Sequence, residues 1–166
     1  MLESLMLAAA MYAPMNETVP TPPPVVATKS DPNQTGVQPS AYTGKFYLKG
    51  RFENYRKCIG QREGRFQYWG TGNNGRYQST YQMTHALVRG AAWMMYPEMK
   101  KWWGTETAKQ VRDTLLSTKG SHWSRFYMDM AFYTILSWDA PGSGAHHWAG
   151  GRFSCTVNMK DWGGLR

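Results

Sequence analysis

RFENYRKCIGQREGRFQYWGTGNNGRYQSTYQM, residues 51–83, is the stretch on which the reading of this chain turns. Phe52, Tyr55 and Ile59 recur at three- and four-residue spacing, which predicts one face of a helix over 51–63. Glu63 stands four residues after Ile59 and continues that apolar stripe. A carboxyl group on the inward side of a helix end loses water, and desolvation raises its pKa. Such an acid stays protonated near neutrality and can hand a proton to a leaving group. The competing reading is a plain helix terminus with a solvated glutamate. Gly64 follows at once and offers a left-handed residue to stop the helix. Beyond it come Tyr68, Trp69, Tyr77 and Tyr81, enough aromatic surface to floor a cleft for sugar rings.

Outward from this stretch, residues 64–76 are rich in Gly and Asn and read as a loop. Residues 76–83 alternate, with Tyr77, Ser79, Tyr81 and Met83 on one side, the pattern of a short strand or hairpin arm. Thr84 is placed to cap a helix with Ala86, Leu87, Ala91 and Met94 as its apolar set, which Pro97 should end. Thr105 should cap the next helix, where Ala108, Val111 and Leu115 keep helical spacing. The longest helix is expected from Ser121 to about Trp138, with Trp123, Phe126, Met130 and Tyr133 as core. Residues 141–144 read as a loop and 156–166 as a loosely docked tail. The fold class is α+β, mainly helical with a small β element.

Toward the other end, residues 1–13 form a short apolar run, too short to span a bilayer. It reads as a signal or anchor lacking the usual basic start, or as a short amphipathic helix. Residues 14–44 are rich in Pro, Thr, Asn and Gln, the composition of a disordered or semi-rigid tether. Sequons at Asn16 and Asn33 fall within it. The folded domain is therefore expected over 45–155.

The chain has 166 residues, 42% of them apolar, and a formal charge of +8. That balance favours an anionic partner: nucleic acid, a membrane surface or an anionic cell wall. The basic residues are scattered, and no signature of a nucleic-acid module appears, so no specific nucleic acid is expected. The four histidines, His85, His122 and the adjacent pair His146 and His147, lack metal-ligand spacing, so no metal or cofactor is expected. Cys58 and Cys155 form no C-x-x-C motif, which argues against a zinc knuckle or a thioredoxin-type site. Taken alone, they are either a pair or two separate buried thiols.

RKCIGQREGRFQYW followed by GNNGRYQSTYQM resembles the core of actinobacterial resuscitation-promoting factors and related small transglycosylase-like domains. Those domains carry a cysteine and then a glutamate near a helix end, a Gly/Asn-rich loop, and a G-x-Y-x-G-A-Y-Q-F-like segment. Cys58, Glu63, Gly75, Tyr77, Tyr81 and Gln82 stand at the matching positions, and Trp148 and Cys155 resemble the closing Trp and Cys. The resemblance spans residues 51–155 and implies a lysozyme-like domain that cleaves the glycan strand of peptidoglycan. It implies Glu63 as the single general acid/base, with Tyr77, Tyr81, Gln82 and Trp69 holding sugar. It also favours a Cys58–Cys155 disulfide, a closure that stabilises by about 2–4 kcal/mol in an oxidising compartment.

The sequence departs from the family at Gly64, where a serine is usual, and at Ser79 and Thr80, where Gly-Ala is usual. A serine where glycine is favoured restricts the backbone beside the cleft. Asp113, Asp129 and Asp139 read as solvated or structural carboxylates, so a second catalytic acid is not evident. A single acid suits a lytic transglycosylase, whereas two carboxylates serve ordinary glycoside hydrolysis. The expected partners are glycan strands and anionic wall polymers, and the expected location is extracytoplasmic or a phage virion. The alternative is a non-catalytic wall-binding or virion structural module on the same fold.

Overall fold

The computed structural model describes residues 19–151 and 153–158. The expectations for residues 1–13, for the Asn16 sequon and for the tail from 159 lie outside the described residues. Helix α1 (Arg51–Gly64) precedes three two-residue strands, β1 (Thr71–Gly72), β2 (Tyr77–Gln78) and β3 (Met83–Thr84). Three helices follow: α2 (His85–Trp103), α3 (Thr105–Ser117) and α4 (Arg125–Ser137). The strands form an antiparallel meander in the order β1-β2-β3, with Gly72 opposite Tyr77 and Gln78 opposite Met83. The architecture is mainly helical α+β, as the periodicities predict.

Helix α4 is the centre of the core. All of its residues except Phe126 are buried, so it must be covered on every side. Helix α2 packs on both α3 and α4, and Phe52, Tyr55 and Ile59 turn the α1 stripe into the same core. Thr84 caps α2 as expected, its Oγ1 accepting the Leu87 N–H at 3.2 Å. Ala108, Val111 and Leu115 bury the inner face of α3, but Thr105 is its first helical residue and not its cap: Gly104 stands at the N-cap, and no side chain caps the helix.

Four expectations are corrected. Pro97 does not end α2, which continues to Trp103. Proline deletes the hydrogen bond to the carbonyl four residues earlier, that of Trp93. Both Trp93 and Pro97 lie on the exposed side, where water can take the place of the lost donor. Helix α4 begins at Arg125 and not at Ser121, and α2 is longer than α4. Gly120–His122 form a 3-10 turn, and extended backbone at Trp123 lets its Nε1 donate to the Leu115 and Thr118 carbonyls at the end of α3, at 3.2 and 3.3 Å.

The described part of the Pro-rich segment, residues 19–44, is not a free tether. Ala27 and Ser124 donate to His122 and Val25 carbonyls across an isolated antiparallel bridge, at 3.0 and 2.7 Å. Gln34 is buried, and its amide donates to the Trp123 carbonyl while accepting the Arg125 N–H at 2.9 Å. It thereby satisfies one of the unpaired donors at the start of α4, which Ser124 does not cap. Tyr42 is fully buried and donates to Glu98 at 2.7 Å. Proline lowers the number of donors, while Ala27, Gln34, Ala41 and Tyr42 direct theirs to His122, Trp123, Asp129 and Glu98. The folded unit therefore includes residues from Pro23 onward, where the carbonyl accepts the Tyr127 hydroxyl at 2.8 Å.

The Cys58–Cys155 disulfide closes a separation of 97 residues and ties α1 to the segment after Trp148. Among the described residues, no helix is long and apolar enough to cross a membrane.

Candidate functional site

The end of α1 is built by local chemistry that differs from the glycine stop expected for it. Gly64 is the last helical residue, and Arg65 takes the left-handed conformation with φ 50°. The Phe66 N–H reaches back to the Gly60 carbonyl at 3.1 Å, and its buried ring lies over Gly60. Gly64 serves another need. A Cβ there would stand 2.4 Å from the Thr80 Cα, so only glycine lets the turn between β2 and β3 press on the helix end. Thr80 Oγ1 then donates to the Gly60 carbonyl at 3.1 Å.

Two of the predicted binding residues, Tyr77 in β2 and Gln82 in that turn, line one cleft, and a third is buried. Gln82 has φ 48° and donates from Nε2 to the Ser79 carbonyl at 2.6 Å. Tyr77 and Gln82 line an open cleft of about 440 Å³ with Leu87, Gly90, His147 and Trp148. Tyr81 is a correction: it is fully buried, and its hydroxyl donates to Asp129 at 2.6 Å. Alternation along 76–83 assumed a continuous strand, but positive φ at Ser79 and Gln82 breaks the register. Trp69 is also not brought there. Its ring stacks on His122 at 4.1 Å and lines neither cleft described here.

A second open cleft of about 600 Å³ is lined by Tyr55, Arg62, Trp148, Gly150, Gly151 and Phe153, among others. Trp148 lines both clefts, and its indole Nε1 donates to the Tyr81 carbonyl at 2.9 Å. Glu63 lies next to this arrangement, with Oε1 2.7 Å from Arg62 Nε and its side chain 26% exposed. The dry pocket expected around the carboxyl group is therefore absent; the group is ion-paired and partly solvated. Burial pushes the nearby Tyr55 hydroxyl up to about 12, Arg62 opposing and Glu63 reinforcing the shift. His147 is pushed below its usual value by burial and then by His146, with ring centroids 4.2 Å apart.

Behind the site is a buried charge cluster that sequence reasoning recognised only in Asp129. Asp129 is fully buried and structural, as expected. It accepts from Tyr68, Tyr81 and the Ala41 N–H, with Arg56 at 3.7 Å and Arg125 at 3.5 Å. Arg56 also pairs with Glu53 at 2.6 Å, and Glu53 accepts the Tyr133 hydroxyl. Burial pushes the Tyr68 and Tyr81 phenols well up, Asp129 adding to the effect. Glu53 was missed although it lies in the decisive stretch. Its three-residue spacing to Arg56 was the available signal.

Neither cleft is lined by a carboxylate among the described residues: Glu63 itself lines neither and adjoins the larger one only through its ion pair with Arg62. Among those residues there is also no group of three or more His, Cys, Asp or Glu able to hold a metal ion. The clefts thus offer an aromatic partition and polar amide and imidazole groups, with one partly exposed carboxylate, Glu63, beside the larger of them. Comparison with family descriptions, characterised proteins and solved structures returns no match.

Proposed function

We propose that this domain cleaves the glycan strand of peptidoglycan, with Glu63 as a single general acid/base. The observation that supports the reading is the position of Glu63 at the end of α1, held by Gly64 against the sheet turn and paired with Arg62, which lines the larger of two open clefts that meet at Trp148. Aromatic rings with a few directed polar groups suit sugar rings bearing N-acetyl groups, and the Gln82 amide can both donate and accept. In the lytic course, the Glu63 carboxylic acid protonates the glycosidic oxygen as the bond to the anomeric carbon breaks. The resulting carboxylate then takes the proton of the sugar's own hydroxyl, which closes an anhydro ring on that carbon. One carboxylate suffices for both steps, so the reaction needs no protein nucleophile.

The charge of +8 favours adsorption to anionic wall polymers, an attraction that salt should weaken. The disulfide fits an oxidising, extracytoplasmic setting, on the cell wall or in a phage virion. A non-catalytic wall-binding module is the second reading, favoured by the Arg62 ion pair that occupies Glu63 Oε1.

Mass spectrometry of actinobacterial peptidoglycan digested by the wild type and by Glu63→Gln separates these readings. Anhydro-muropeptides from the wild type alone are the expected result. Reducing-end products would replace the lytic course by hydrolysis. No products from either folded protein, with sugar binding retained by both, would replace the enzyme by the binding module.

A further inference from the structure

Arg62 is held by more partners than a surface ion pair needs. Its side chain is 3% exposed, and each of its three nitrogens has a separate task. Nε meets Glu63 Oε1 at 2.7 Å, Nη1 donates to the Phe153 carbonyl at 3.2 Å, and Nη2 donates to the Trp148 carbonyl at 2.5 Å. Both carbonyls belong to the strap formed by residues 148–151 and 153–155, which walls the larger cleft. Cys58 and Arg62 are four residues apart on α1, hence on one face, so the strap is fastened twice along that face. Gly151 completes the fit. It has φ +105°, and a Cβ there would stand 2.6–2.9 Å from guanidinium atoms of Arg62.

We propose that Arg62 is a positioning residue through which the disulfide-anchored strap fixes the Glu63 carboxylate, so that opening the disulfide disarms the site while the domain stays folded. The proposal rests on the reading of Glu63 as the acid/base. A dithiol reductant opens the bond by two successive thiolate attacks and leaves as a cyclic disulfide. Its two electrons and two protons convert Cys58 and Cys155 to thiols. The strap then loses its covalent anchor, its two carbonyls leave the guanidinium, and Nε no longer holds Glu63 in one orientation. The fold survives because α1 remains seated through Phe52, Tyr55, Ile59 and the buried Arg56.

The test uses the full chain, oxidised and after dithiothreitol, with circular dichroism to follow the fold. The Arg62 Nε–H signal in proton–nitrogen NMR is assigned by its loss in Arg62→Lys. In the oxidised protein it should exchange slowly; after reduction that protection should vanish while the dichroism holds. Glycan cleavage should then lose on the order of tenfold to a hundredfold in kcat, with KM nearly constant. Arg62→Lys should already be slow, and reduction should slow it no further. Gly151→Ala should reproduce the loss of protection and of kcat with the disulfide closed, which keeps the coupling testable if reduction unfolds the chain and so refutes survival of the fold. Protection that persists in both the reduced protein and Gly151→Ala would overturn the coupling, as would an undiminished kcat once protection is lost. A wild type that cleaves no glycan in either redox state would refute the reading of Glu63, a result separate from the NMR outcome.

Discussion

Gly64 lies directly on the backbone of Thr80, so close that a Cβ at residue 64 would meet Thr80 Cα, C and O at 2.4–2.8 Å. This contact joins the glutamate-bearing helix to the sheet turn carrying Gln82. Gly64→Ala should therefore destabilise the domain by about 1–3 kcal/mol, because the obstacle is backbone and not a movable side chain. Urea unfolding would measure it, and glycan cleavage should fall in parallel as Glu63 shifts. A variant as stable as the wild type would show that the turn can retreat from α1.

Ser79 presents the opposite case. It has φ 63°, a conformation costly to a residue with a Cβ, and its buried hydroxyl has no hydrogen-bond partner among the described residues. Ser79→Gly removes both penalties, at some cost in unfolded-chain entropy. A net gain of about 1 kcal/mol is expected, read as a rise in the urea midpoint with an unchanged m-value. A loss of stability would mean that the serine makes a compensating contact in solution.

The helices were legible through the Thr84 cap for α2 and the stripe of Ala108, Val111 and Leu115 for α3. Yet no side chain caps α3, and the buried face of α2 runs through Val88, Ala91, Met95 and Met99 while the expected Ala86 is exposed. The end of α2 was not legible: Pro97 costs the helix a hydrogen bond and crowds the Trp93 carbonyl, yet both residues are exposed, and the packing of Met95, Met99 and Trp103 carries α2 on to Trp103. The docking of residues 19–44 was hidden for a related reason. Composition reports how many donors and apolar groups a segment has, but Gln34 and Tyr42 act through partners far along the chain, at Arg125 and Glu98. Glu63, Tyr77 and Gln82, on which the proposed site rests, all fall within one short motif. Tyr81 was misplaced because two positive-φ residues interrupt the alternation, and Arg62 was overlooked because its partners are carbonyls, which no side-chain pattern announces.

Asp129 should be the least replaceable carboxylate in the domain. It faces two guanidinium groups and accepts two phenolic hydroxyls with no exposure to water. Asp129→Asn removes the charge that Arg56 and Arg125 face and turns an amide donor toward other donors. Breaking a buried pair in this way costs about 3–5 kcal/mol. Chemical denaturation checks it, and a loss below about 1 kcal/mol would mean that water or Glu53 takes over the compensation.

Glu53 should set part of the acid sensitivity of the fold. Burial alone would raise its pKa, but hydrogen bonding and attraction to Arg56, joined by the Tyr133 hydroxyl, reverse this and hold it below the ordinary 4.5. A carboxylate with a depressed folded pKa binds fewer protons in the native state than in the unfolded chain. Its contribution is therefore present in full above about pH 4.5 and is lost as the pH falls through the folded value. Glu53→Gln should flatten that part of the stability curve. It should also lower stability at pH 7 by about 3 kcal/mol, because the buried Arg56 keeps its charge but loses one of its two carboxylate partners. Urea unfolding of both proteins at intervals from pH 7 to pH 3 would read both effects. Equal slopes below pH 4.5 would transfer the acid sensitivity from Glu53 to other groups of the cluster.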